Sequence, residues 1–250
     1  MDFQEINEQF NQRFNQGTKS IEDRNREFEA SQALPVLMRK VYTWMCLALG
    51  ITALTAYGAA NSPTMMEIIY SNQIFYFGLI LAELGLVFYI SARLEKISLT
   101  TGTLLFALYS ALNGLTLAVI LYVYSPTIIA KTFLVTAGTF GAMAFVGYTT
   151  KRDLSNFGGL LIMALIGIII ASVVNIFIKS ETFDLIICYV GVIIFVGLTA
   201  WDVQKIKTML QLSGDVGEAG QKIALRGALA LYLDFINLFL YLLRIFGRNK

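Results

Sequence analysis

"LALYLDFINLFLYLLRIF", residues 229–246, is apolar enough to lie inside a membrane, yet Asp234 stands in its first half. A span needs roughly 20 mainly apolar residues to cross the hydrocarbon core. An acidic side chain near the middle of such a helix costs about 2.5–3.5 kcal/mol on insertion scales. Hydrophobicity alone does not put a carboxylate there, so the rest of the chain must supply its partner.

Composition fixes the class. The chain has 250 residues, 56% of them hydrophobic and only 14% charged, which is more apolar surface than a soluble domain of this length can bury. The sequence is read as an all-α integral membrane protein. A net charge of +2 is too small to point to nucleic acid, and the basic residues fall in short loops rather than along one face. Histidine is absent, which removes the commonest acid–base catalyst, and no G-x-x-x-x-G-K-[ST], H-E-x-x-H or G-x-S-x-G pattern occurs. The chain is therefore not expected to be an enzyme or to carry a cofactor. Cys46 and Cys188 sit in apolar runs without metal or redox spacing and read as small buried hydrophobes.

Residues 1–34 form a polar segment and 35–250 a membrane domain. The first segment has no basic start followed by an apolar core and a cleavage site, so it reads as a cytoplasmic tail rather than a signal peptide. Phe3, Ile6, Phe10 and Phe14 share a helical face. The segment is nonetheless net acidic, which favours a mobile tail over an interfacial helix. From Pro35 onward, seven apolar runs fall at about 37–60, 74–93, 99–123, 128–149, 158–178, 184–204 and 223–246. "YSPT" at 124–127 supplies the turn inside the longest uncharged stretch.

Loop charge predicts orientation. With the N-terminus in the cytoplasm, that side holds Arg39, Lys40, Arg93, Lys96, Lys151, Arg152, Lys205, Lys207, Lys222 and Arg226, whereas the opposite loops hold Lys131 and Lys179. Arg244, Arg248 and Lys250 run against this bias. Either the last run spans fully and exports them, which its length favours, or it re-enters.

Three acidic residues stand within the apolar runs: Glu83 in the second, Asp202 near the end of the sixth and Asp234 in the seventh. Arg93 lies ten residues after Glu83, roughly 15 Å along the helix, so the two cannot pair. The sixth and seventh runs are joined on one side, and antiparallel packing brings Asp202 and Asp234 to similar depth. Asn237 and Tyr241 continue a polar stripe from Asp234, and such a stripe must face protein or water. The plainer readings are a solvated helix end for Asp202 and structural hydrogen bonding for Glu83 and Asp234. Ala137 with Gly141, and Gly158 with Gly159, read as close helix packing.

"GYTTKRDLS" at 147–155, "GLTAWDVQKIK" at 197–207 and "LYLDFINLFLYLLRIFG" at 231–247 closely resemble the bacterial branch of the Bax inhibitor-1 (transmembrane Bax inhibitor motif) family. "NGLTLAVI" at 113–120 and "LIGIIIASVVNIF" at 165–177 fit the same branch, so the resemblance covers roughly 35–247. It implies six helices around a central seventh, and a pH-sensitive calcium leak in the bacterial cytoplasmic (inner) membrane. Asp202 and Asp234 match the family's proton-sensing aspartate pair, Arg93 the arginine that latches the closed state through the first aspartate, and Glu83 the acidic residue of the second helix. The pair with Asn237 and backbone carbonyls would make a weak, transient calcium site. Trp201 and Val203 depart from the usual Tyr-Asp-Thr-Gln, replacing a phenol and a hydroxyl. The rival reading is a non-conducting regulator that binds a membrane-bound ATP-dependent protease, which bacterial members resemble. An intramembrane aspartyl enzyme would need Gly-Asp surroundings that this chain lacks.

Overall fold

The structure, a computed structural model, describes residues 3–248, with the side chains of residue 28 and of 31–69 and 72–248. The described residues form helices and no strand: α1 (Phe3–Ala60), α2 (Pro63–Ser71), α3 (Gln73–Arg93), α4 (Leu99–Val123), α5 (Pro126–Thr149), α6 (Ser155–Ile178), α7 (Glu181–Ser213) and α8 (Glu218–Gly247). Seven are long and apolar enough to cross a membrane: the Ser31–Ala60 part of α1, and α3 to α8. The chain is an integral membrane protein.

Helix ends depart from the hydropathy runs for a physical reason. An apolar run marks the part of a helix that lies in hydrocarbon, whereas the helix stops where its backbone is capped. Thus α7 continues past residue 204 to Ser213, where Gly214 takes the left-handed conformation (φ 57°) and its N–H bonds to the carbonyl of Leu210. Likewise α1 runs unbroken from Phe3 through Pro35. The apolar face Phe3, Ile6, Phe10 and Phe14 lies outside the described side chains, and Lys250 outside the described residues. The short α2, absent from the seven runs, starts on a proline at its first position, with Ser62 accepting a hydrogen bond from the N–H of Met65 (3.4 Å).

The core follows α8, the most buried of the spans. It packs against α1, α4, α5 and α7, while α3 rests on α4 and α6 on α7. Tyr232, Leu231 and Leu238 of α8 are wholly buried. Ile74 on α3 and Phe177 on α6, by contrast, are 85% and 81% exposed, as lipid-facing side chains must be.

Antiparallel register between α7 and α8 is visible at both ends. They turn at 214–217, and at the far end Arg248 donates to the carboxylate (3.0 Å) and the carbonyl (2.8 Å) of Glu181, with Arg244 4.0 Å from Asp184. α8 therefore runs back along α7 to its first turn. The cations that break the loop-charge pattern stand beside the acids that open α7.

Candidate functional site

The site is built on the half of α7 nearest the 214–217 turn, which four contacts hold against α5, α6 and the loop between them. Gly147 of α5 meets the Ala200 carbonyl so closely that a side chain would collide with it. Gly158 of α6 lies under the Trp201 ring in the same way. Gln204 closes on the 150–154 loop with both ends of its amide, accepting from the N–H of Leu154 (2.8 Å) and donating to the carbonyl of Arg152 (2.8 Å). One turn on, Lys207 donates to the Tyr148 carbonyl (2.8 Å). Trp201 thus packs on α6, and Val203 is wholly buried.

With that face committed to α5 and α6, Asp202 turns towards α8. Its carboxyl group lies within hydrogen-bonding reach of Asp234. Asp202 is half-buried and Asp234 only 5% exposed, and Asp234 Oδ2 receives no hydrogen bond within the described residues. A carboxylate has nothing to donate, so the two groups can bond only if the pair holds a proton. Lys205 is the neighbouring cation, but its ammonium sits 4.6 Å from the centre of the Trp201 ring.

The other sequence-predicted residues fall elsewhere. Asn237 turns back on its own helix, donating to the Leu233 carbonyl (2.8 Å). Glu83, buried on α3, accepts from Asn113 (3.4 Å) and from the Thr116 hydroxyl, both on α4. Arg93 ends α3 exposed and makes no ion pair within the described residues, so the structure does not bring it onto Asp202.

Between Glu83 and α8 lies a polar group that sequence reasoning missed. The Tyr232 hydroxyl is 2.7 Å from the Thr52 hydroxyl, and its ring meets Phe106 and Tyr109 edge-on at 5.7 and 5.8 Å. Asn113 and Thr116 were findable, since three positions apart in "NGLT" puts them on one helical face. Thr52 and Tyr232 carried no such signal.

As a cation site the aspartate pair is sparse. Two carboxyl groups offer four oxygens, below the roughly six to eight that calcium takes. The described residues hold no group of three or more Asp, Glu, His or Cys able to bind a metal ion. Such a site can hold an ion briefly, as a conduction path requires, but not as a tight structural cage.

A family model described as "Inhibitor of apoptosis-promoting Bax1" matches residues 34–250. The chain belongs to the Bax inhibitor-1 family. This member is 54% identical over 218 residues to the inner membrane protein YbhL of Escherichia coli K12, covering 87% of this chain and 93% of that one. It is also 38% identical to the uncharacterized protein RP147 of Rickettsia prowazekii, over 93% of this chain and 98% of that one. With an uncharacterized membrane protein of Streptococcus pyogenes serotype M1 the identity is 39%, over 84% and 91%. The family match takes in the whole aspartate site and both helices that carry it.

Proposed function

We propose that this Bax inhibitor-1 family member is a pH-sensitive calcium leak of the cytoplasmic membrane, with its N-terminus in the cytoplasm and the Asp202–Asp234 pair as proton sensor. The observation that carries the reading is Asp234: a residue only 5% exposed, its carboxyl group within hydrogen-bonding reach of a second one, with an oxygen that no donor among the described residues satisfies. Left ionised, such a group is costly in a membrane interior. A shared proton or a passing cation relieves it, and the two compete for the same oxygens. That gives a chain without histidine a means to respond to pH.

In this reading Arg93 latches the cytoplasmic end by moving onto Asp202 when that carboxylate is ionised, and protonation releases it. Glu83, held by Thr116 and Asn113, is a supporting polar residue that ties α3 to α4.

The test is calcium flux into liposomes holding the purified chain, over a range of pH, for wild type and Asp234→Asn. The proposal expects a leak whose pH midpoint shifts in the variant. Liposomes that stay tight at every pH would refute the leak and favour a non-conducting regulator of a membrane-bound protease.

A further inference from the structure

α1 and α5 both pack on α7 and α8 but scarcely touch each other. Between them opens a cleft of about 560 Å³, walled by Tyr42 and Met45 of α1 and by Phe140, Gly141 and Phe145 of α5, with Arg39 at one end. That volume is within the range of ligand sites, roughly 300–1,000 Å³. Its walls run from Pro35 to Met45 on one side and from Phe140 to Tyr148 on the other. At 1.5 Å per residue these are roughly 12–15 Å, half the thickness of a hydrocarbon core. From Arg39 to Met45 the α1 wall runs about 9 Å, enough for the upper part of an acyl chain.

Its chemistry is divided by depth. The deep end is apolar, and a side chain added at Gly141 would meet nothing within 4 Å, so no protein group fills the space there. The shallow end is cationic. Arg39 is the charged residue of the lining; it is exposed, without an ion pair within the described residues, and no carboxylate joins it in the wall. Lys207 of α7 lies outside this lining, its ammonium donating to the Tyr148 carbonyl (2.8 Å), so Arg39 is the cation of the cleft. An apolar slot below one unpaired cation, with no acid in its lining, matches the upper part of an acyl chain below a phosphate.

We propose that the α1–α5 cleft binds one anionic phospholipid of the leaflet on the basic face, its phosphate held by Arg39 and an acyl chain lying along Tyr42, Met45, Phe140 and Gly141. This requires no ion leak and stands whether or not the chain conducts.

The full-length chain, purified in detergent, is offered phosphatidylglycerol or phosphatidylcholine with identical acyl chains, and the lipid retained is counted by native mass spectrometry. One phosphatidylglycerol per chain is expected, preferred over phosphatidylcholine at least about fivefold, the contribution of one cation near an anionic headgroup. Arg39→Ala should lower the preference by about the same factor. Gly141→Leu should fill the slot and cost both lipids, while Gly138→Leu, at an equally open position of α5 outside the cleft, should leave binding intact. Equal retention of the two lipids, or unchanged binding in Gly141→Leu, would overturn the proposal, as would a dimer of the chain that excludes lipid.

Discussion

The carboxyl groups of Asp234 and Asp202 lie within hydrogen-bonding reach of each other across the α7–α8 interface, and Asp234 Oδ2 accepts no hydrogen bond from the described residues. Two acceptor groups facing each other in a buried place form one chemical unit, because the state of one decides what the other can do. The first prediction is therefore about coupling. Asp202→Asn and Asp234→Asn should each shift the pH midpoint of the leak in liposomes. Their double mutant should differ from the sum by about 0.5–3 kcal/mol, the size of coupling seen between residues in contact. Strict additivity would return Asp234 to a structural role.

A control comes from a carboxylate outside the spans. Asp153 in the 150–154 loop accepts from the backbone N–H of Ser155 (2.8 Å), and the Ser155 hydroxyl and N–H together hold its carboxyl below the usual range. A lowered value means that Asp153 is already ionised near neutrality, and that whatever stability it lends is present above its unfolded value and lost only as the pH falls through the lowered folded one. Asp153→Asn should thus leave the pH midpoint of the leak unchanged. A shift like that of Asp234→Asn would move the sensor to the loop.

The Glu83 site predicts stability rather than flux. The Thr116 hydroxyl is a donor to a buried carboxyl group, and Thr116→Val removes it while keeping the shape. Leaving that group short of a partner should cost about 1–3 kcal/mol, read as a lower Tm in detergent. Thr149→Val, whose exposed hydroxyl bonds only to the carbonyl four residues back, should cost far less. Equal losses would mean that Glu83 does not rely on α4.

Seven spans were legible in the sequence because hydrocarbon imposes a length and a polarity that few residues can violate. For the same reason Glu83, Asp202 and Asp234 stand out as charges within apolar runs. What they touch was harder to read. The Asn113–Thr116 face of α4 was legible from its three-residue spacing, but that it meets Glu83 depends on how α4 and α3 are placed together, which spacing within one helix does not encode. Gln204 shows the same limit: it served as a landmark beside Asp202, and only packing reveals both ends of its amide engaged by the 150–154 loop.

That clamp is testable. Gln204→Leu removes both hydrogen bonds, and the loop's Leu154 N–H and Arg152 carbonyl lose their partners. Amide exchange at Leu154 should speed up by roughly an order of magnitude, the equivalent of one hydrogen bond of ~1 kcal/mol or slightly more. Gln204→Glu keeps the acceptor for Leu154 and should retain most of the protection there. If exchange at Leu154 is unaltered in Gln204→Leu, α7 does not position the loop through this side chain.

The last prediction concerns the two ends of α8. The 214–217 turn joins it to the end of α7 with Lys205 and Lys207, while Arg248 reaches Glu181 at the start of α7 (3.0 Å). α7 contains 33 residues, roughly 50 Å of helix, more than a bilayer core requires. Single cysteines placed at Lys151 and Asp215 should therefore react with an impermeant reagent from one side only, and those at Asn61, Ser180 and Arg248 from the other. From the excess of Lys and Arg near the 94–98, 150–154 and 214–217 turns, the first side is expected to be the cytoplasm. Arg248 paired with an exposed Glu181 contributes little to stability, so Arg248→Cys should insert normally and report position cleanly. Labelling of Arg248→Cys together with Asp215→Cys would mean that α8 re-enters, and reversal of the whole pattern would put the N-terminus outside.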